Sequence, residues 1–274
     1  MKEIDFEEVK RLQVDILAAV DKFCGENNIR YSLSSGTLIG AIRHNGYIPW
    51  DDDIDLMMPR ADYDRFINTF NGSFAHLSVM APELNADYYA PYANVYDNRT
   101  YLNEGCNGHR GIEIGVKIDI FPIDTVPADD REYAVKMKKI DKLNSIMRTK
   151  RLTNISELKK SFFSNLAIYF KKSMYACLPY PYLQKKIRSI ATDKSCATSD
   201  CVDNVVYNIY SKKCTKFDES VMNEYIRLPF EGHQFCAVKN YDTVLKKMYG
   251  DYMQLPPEEK RVPVHGFKAY WRDI

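Results

Sequence analysis

The chain has 274 residues, 45% hydrophobic and 27% charged, the balance of an ordinary globular protein with room for a large core. A formal net charge of +1 removes any global pull toward nucleic acid, and no run approaches the roughly 18 apolar residues of a membrane-spanning helix. Seven scattered cysteines, with no C-x-x-C and no histidine at zinc-ligand spacing, argue against a disulfide framework or a zinc site and predict reduced, mostly buried thiols of a cytoplasmic protein.

In chain order, "MKEIDFEEVKRLQVDILAAV" is charged and amphipathic and lacks the apolar centre of a secretory signal. Phe6, Val9, Leu12, Ile16, Val20 and Phe23 recur every three or four residues, which predicts a helix stopped near Gly25. A short strand follows over 29–33, then a Ser34-Ser35-Gly36-Thr37 turn and the first turns of a helix over 38–43. Next comes an acidic strand, then "PRADYDRFINTF" as a helix with Pro59 at its start. Strands are expected over 77–80, 92–96 and 115–124, the last ended by Pro122 with Asp124 as a turn residue. Over 131–172 twelve Lys or Arg stand against three acids in a helical pattern. That stretch reads as a solvated basic face or as a docking surface for an anionic or membrane-linked acceptor. From about 217 the pattern is mixed, with a helix capped by Asn240 and closed by Gly250, then an ordered tail over 255–267.

The acidic strand carries the chemistry. Asp51, Asp52, Asp53 and Asp55 crowd between Ile48-Pro49-Trp50 and Leu56-Met57-Met58. A solvated acidic turn is the bland reading. Against it, Asp53-Ile54-Asp55-Leu56 alternates polar and apolar, so on a strand the two aspartates share one face. Like charges held side by side call for a cation between them, and carboxylate oxygens suit Mg²⁺ or Mn²⁺. Asp119, flanked by apolar residues in "KIDIF", adds a third carboxylate, as metal ligand or as general base. The Ser35-Gly36-Thr37 turn offers backbone N–H groups to a phosphate. Metal, cradle and base are the parts that phosphoryl and nucleotidyl transfer need.

"SLSSGTLIGAIRHNGYIPWDDDIDLMMPRADYDRF" resembles the signature of the LicD-type phosphotransferases, which include the fukutin-related proteins. "NVYDNRTYL", "IDIFPID" and "LPFEGHQFCAVKNYDTVLKKMYGDYMQLPPEEKR" look like the later blocks of that family, so the likeness spans roughly 25–125 and 217–267. It implies an α/β (α+β) fold with a nucleotidyltransferase-like mixed sheet core, flanking helices and a helical insertion. The corresponding division is a catalytic core over 1–127, a basic helical insertion over 128–216, and a C-terminal block over 217–274 packing back on the core. It also implies transfer of a phospho-alcohol, phosphocholine favoured, from a CDP-alcohol to a sugar hydroxyl. The acceptor is a cell-surface glycan, free or lipid-linked: teichoic acid, lipopolysaccharide or capsule. CMP leaves.

Carried onto this sequence, Asp53, Asp55 and Asp119 become the catalytic and metal-binding carboxylates for Mg²⁺ or Mn²⁺. Ser35, Gly36 and Thr37 become donor-phosphate contacts, with Arg43 and Arg99 as phosphate clamps. Asp51, Asp52 and Trp50 support the site from behind, and which of the adjacent aspartates bind metal directly is left open. His44 and His265 are acid–base candidates, and Trp50 and Tyr47 are candidates to stack on cytosine or meet choline's ammonium. The expected partners are CDP-choline and a glycan acceptor, with no nucleic acid, and peripheral contact of the basic helical region with the inner face of the membrane. Two competing readings are a nucleotidyltransferase moving NMP from an NTP, and a catalytically silent glycan- or nucleotide-binding relative.

Overall fold

The computed structural model describes residues 1–85, 87–103, 112–152, 162–193, 195, 198–207, 214–262 and 266–273, the side chain of 162 excepted. His265 lies outside the described residues, as do Lys159 and Lys160 of the basic stretch. The architecture is mixed α/β. A short strand β1 (Lys2–Ile4) leads into helix α1 (Phe6–Glu26), where the Asp5 carboxylate accepts from the Glu8 N–H at 2.8 Å. Then come β2 (Ser32–Leu33), α2 (Ser35–His44), β3 (Asp55–Pro59), α3 (Arg60–Thr69), β4 (Leu77–Met80), β5 (Ala93–Asp97), β6 (Thr100–Asn103) and β7 (Lys117–Thr125). Three helices follow, α4 (Asp130–Arg151), α5 (Phe162–Tyr175) and α6 (Tyr180–Ala191), then β8 (Cys201–Asp203) and β9 (Phe217–Asp218). The hairpin β10 (Tyr225–Phe230) and β11 (His233–Val238), helix α7 (Tyr241–Tyr249) and β12 (Lys268–Trp271) complete the chain.

The central sheet runs β2-β3-β7-β5-β4, with β3 and β7 parallel and the other pairs of that path antiparallel. Its two faces follow the alternation in the sequence. Leu56 and Met58, Ile118 and Ile120, Ala93 and Val95, Leu77 and Val79 point into one core with α1, α2, α3 and Phe230, Phe235 and Ala237 of the hairpin. The opposite face carries Asp55 and Met57, Lys117, Asp119 and Phe121, Asn94 and Tyr96. Its apolar part is covered by a second core that includes Tyr133, Met137, Ile140 and Met147 of α4 and Leu183 and Ile187 of α6.

Pro122 does not end β7, which runs on to Thr125 and registers Pro122 opposite Met58. The Asp119 N–H donates to the Ile54 carbonyl, so odd-numbered N–H groups of β7 face β3 and even-numbered ones face the other edge. On that edge β5 pairs 117–120 and β8 pairs 124–125, so the missing N–H of Pro122 falls in the gap between them. Asp124 is therefore a buried strand residue and not a turn residue. Arg60 Nε and Nη2 donate to its two oxygens at 2.7 Å each.

The turn of the C-terminal hairpin, Glu231-Gly232, has both residues at positive φ, the left-handed pair that a two-residue connection needs. It docks on the loop before the aspartates. Glu231 Oε1 accepts from the Tyr47 N–H at 3.0 Å and presses so close to Gly46 that a Cβ there would lie 2.1 Å from it. The thiols are less buried than expected: of the described cysteines Cys24 is buried, while Cys177 and Cys214 are exposed. No described helix is long and apolar enough to cross a membrane.

Candidate active site

Parallel pairing of β3 with β7 sets Asp55 directly beside Asp119, and antiparallel pairing of β5 with β7 sets Asn94 on the other side of Asp119. Three residues far apart in sequence thus form a row across one face of the sheet. Asn94, fully buried, donates from Nδ2 to Asp119 Oδ1, and the buried Tyr88 hydroxyl donates to Asn94 Oδ1. Lys117, two residues before Asp119 and on the same face, reaches the same Oδ1 at 2.6 Å.

The strand begins at Asp55, and Asp53 lies on its approach, keeping the expected alternation: Asp53 and Asp55 half-buried, Ile54 and Leu56 buried. Burial pushes the Asp55 carboxyl well up from the ordinary carboxylate value, and the charges of Asp53, Asp119 and Asp51 add to it, with Lys117 opposing. Among the described residues, Asp51, Asp52 and Asp53 offer oxygens that all lie within 4.8 Å of one another. Asp55, paired with Asp119 on the sheet, feels the charges of Asp53 and Asp51, so the sheet pair adjoins this loop cluster, which holds no described histidine or cysteine. An all-oxygen set of neighbouring carboxylates is chemically suited to a hard divalent cation.

The Ser35-Gly36-Thr37 segment forms the first turn of α2 and not a separate turn, with Ser35 itself at a left-handed φ of 48°. It buttresses the acidic loop. Thr37 Oγ1 accepts from the Asp55 N–H at 2.8 Å, and the Ser34 N–H donates to the Asp55 carbonyl at 2.9 Å. Gly36 faces the Asp51 carboxylate so closely that a Cβ would lie 2.3 Å from Oδ2. Glycine is the residue that lets this carboxylate rest at the positive end of the helix.

Asp52, Asp53 and Asp119 open onto a cavity of about 500 Å³, within the usual range for small-molecule sites. Tyr89, Tyr92 and Tyr207 line it, and the far wall is the last two turns of α4, with Asn144, Arg148 and Arg151. The other predicted residues stand elsewhere. Arg43 donates to the Tyr252 carbonyl at 2.7 Å and to His44 Nε2 at 2.9 Å, tying α2 to the C-terminal segment. Arg99 grips Asp97, with Nε 3.0 Å from Oδ1, and lies over the Trp271 ring. Tyr47 is buried with its hydroxyl on Gln13 Oε1 at 2.9 Å, and Trp50 packs on the first core under the Arg261 guanidinium. None of these lines the cavity.

Residue-by-residue reading missed Lys117, Asn94, the three tyrosines and α4. The signal for Lys117 was its spacing of two from Asp119; Asn94 and the tyrosines carried no local mark.

A sequence signature described as LicD/FKTN/FKRP, nucleotidyltransferase domain, matches residues 28–125, the segment holding α2, the aspartate loop and β7. Over nearly its whole length the chain is similar to the lipopolysaccharide cholinephosphotransferase LicD of Haemophilus influenzae. Identity is 32% over 276 residues, covering 98% of this chain and 99% of the relative. The chain belongs to the LicD family. Two shorter likenesses, to uncharacterized proteins of Rickettsia typhi (51% identity, 15% of this chain and 13% of the relative) and Rickettsia prowazekii (54%, 14% of each), add no activity. In this LicD family member the matched signature ends at β7, so the α4 wall of the cavity lies beyond it.

Proposed function

We propose that the chain transfers phosphocholine from CDP-choline to a sugar hydroxyl of a cell-surface glycan and releases CMP. The similarity to a lipopolysaccharide cholinephosphotransferase over nearly the full chain carries this reading, and a cavity with carboxylates on one side and arginines on the other supports it. The acceptor oxygen attacks the choline-bearing phosphorus, a new P–O bond forms, and the P–O bond to the CMP phosphate breaks with its electron pair leaving on CMP. The hydroxyl proton passes to a carboxylate. Asp119 is suited to this role, because Asn94 and Lys117 both engage Oδ1 and leave Oδ2 to receive it. With Asp119 as the base, Asp53 and Asp55, extended by Asp51 and Asp52, would hold Mg²⁺ or Mn²⁺, which supplies charge neutralisation for the pyrophosphate. The Ser35-Gly36-Thr37 turn fixes the height of the acidic loop rather than lining the cavity.

Melting of the purified protein with CDP-choline, CDP-ribitol, CDP-glycerol, CMP and ATP, each with and without Mg²⁺, tests the donor. Stabilisation by about 3 kcal/mol is expected at a hundredfold excess over Kd, for CDP-choline with Mg²⁺ above the other donors, and CMP should appear when acceptor glycan is added. The family description also names a nucleotidyltransferase domain, and that second reading predicts a response to NTP with release of pyrophosphate. No response to any nucleotide would favour the silent binding relative.

Contact with the membrane that bears the acceptor belongs to the same reading. Helix α5 exposes Leu166, Phe170 and Met174 on one side and carries Lys171 beside them, an apolar stripe with positive charge that fits an anionic lipid surface. Co-sedimentation with phosphatidylglycerol vesicles, lost on Phe170→Asp, is expected; equal recovery of both proteins would remove this contact.

A further inference from the structure

Helix α4 lies beyond the matched signature, and the basic stretch that contains it reads from sequence as a solvated or docking face. Much of it is: Lys138, Lys139 and Lys142 are exposed. Its last two turns behave differently. Asn144, Arg148 and Arg151 are spaced i, i+4, i+7, which puts them on one side of the helix, and all three line the cavity opposite Asp52, Asp53 and Asp119.

Asn144 is 4% exposed and its Nδ2 donates to the Val206 carbonyl at 2.7 Å. That bond fixes which way the amide faces, and its other end, Oδ1, is buried with no hydrogen-bond partner among the described residues. An acceptor buried and unmatched just behind the wall of a cavity is one that a ligand N–H or O–H reaching it would satisfy. One turn and two turns further on stand the arginines. The Arg151 guanidinium lies 4.1 Å from the centre of the Tyr89 ring, which holds its plane against the cavity wall. Tyr207, also in the wall, lies within electrostatic reach of Asp119, of Arg148 and Arg151, and of Lys117, which is bound to Asp119. The cavity is thus polarised, with anions at the sheet and guanidinium groups at the helix. A molecule spanning it needs phosphate oxygens in its middle and a hydrogen-bond donor near Asn144.

We infer that Asn144, Arg148 and Arg151 form the donor-nucleotide wall of this cavity: the two arginines take the pyrophosphate oxygens, and Asn144 Oδ1 accepts from an N–H or O–H of the nucleoside. This rests on the CDP-alcohol reading above and deepens it. Choline's quaternary ammonium has no proton to donate, so the group that meets Asn144 is the cytosine amine or a ribose hydroxyl.

Equilibrium binding of CMP, UMP, 2′-deoxy-CMP and CDP-choline to the full chain, wild type and variants, separates these. Arg148→Gln/Arg151→Gln should weaken CMP and CDP-choline by about tenfold to a hundredfold, the loss of charge-assisted hydrogen bonds, and Arg148→Gln alone should weaken both with the melting temperature nearly unchanged, because Arg148 is exposed. Asn144→Ala should erase the wild-type preference for CMP over UMP if the amine is read, or for CMP over 2′-deoxy-CMP if the hydroxyl is. A ratio of two ligands on one protein is insensitive to a general loss of stability. Wild type that binds CMP with the double arginine variant unaffected, or with both ratios unmoved by Asn144→Ala, overturns the wall and leaves the transfer reading standing. Wild type that binds neither CMP nor CDP-choline overturns both.

Discussion

Asp55→Asn should be folded, inactive, and more heat-stable than wild type in the absence of metal. In the folded chain the Asp55 carboxyl is pushed up by burial first, then by Asp53, Asp119 and Asp51. A carboxyl whose folded pKa lies above its unfolded value opposes folding once pH exceeds the unfolded value, about 4, and the penalty grows until the folded pKa is passed. At neutral pH wild type bears that cost and the amide does not. A gain of roughly 2–6 °C is expected for a chain of this size. The backbone bonds from Asp55 to Ser34 and Thr37 do not involve the carboxylate and survive. Turnover should fall by about a thousandfold or more, since on the proposed reading Asp55 helps to hold the metal that neutralises the donor phosphates. Mg²⁺ should raise the melting temperature of wild type and do little for the variant. A folded variant with more than a few per cent of wild-type activity would end the role of Asp55 as a metal ligand. One that melts below wild type without metal would end the argument from crowded charge.

The second large effect lies beneath the site. Arg60→Leu should cost about 3–5 kcal/mol, the usual penalty for stranding one member of a buried ion pair, and lower the melting temperature by roughly 6–15 °C. Asp124 is 2% exposed and takes both its hydrogen bonds to Arg60 at 2.7 Å. The guanidinium also stacks on the Tyr63 ring, 5.1 Å from its centre. The pair bolts α3 to the strand that carries Asp119. Arg60→Leu/Asp124→Leu should recover most of the loss, because a matched apolar pair leaves no buried charge unpaired. Calorimetric melting of the two variants checks this, and a double variant no more stable than Arg60→Leu would mean the pair's charge is not what matters there.

Much of this was legible along the chain. The three- and four-residue recurrence from Phe6 to Phe23 marks α1, and the polar–apolar alternation at 53–56 puts Asp53 and Asp55 on one face while Ile54 and Leu56 enter the core. Signals of this kind travel within a few residues, because they report which side of a local element is apolar. Pro122 shows the limit of the same logic. As a local signal it stops a strand, yet the strand continues, since the position lies where no neighbour asks for its N–H. Arg43 and Arg99 show another. An arginine near a phosphate motif suggests a clamp, and only the folded chain sends one to the Tyr252 carbonyl and the other to Asp97.

By itself, then, the sequence determined the element types, the family, the crowding of carboxylates and the presence of a third one in an apolar strand. The tertiary structure alone decided that Asp119 stands beside Asp55, that Asn94 donates to it, and that Asn144, Arg148 and Arg151 line the same cavity. The reason is range. Strand order joins residues more than sixty positions apart, and a helix outside the matched signature is folded over the sheet by its own apolar side against Phe121 and Tyr92. Such partnerships are settled by the packing of whole surfaces, and the spacing of neighbouring residues holds no record of them.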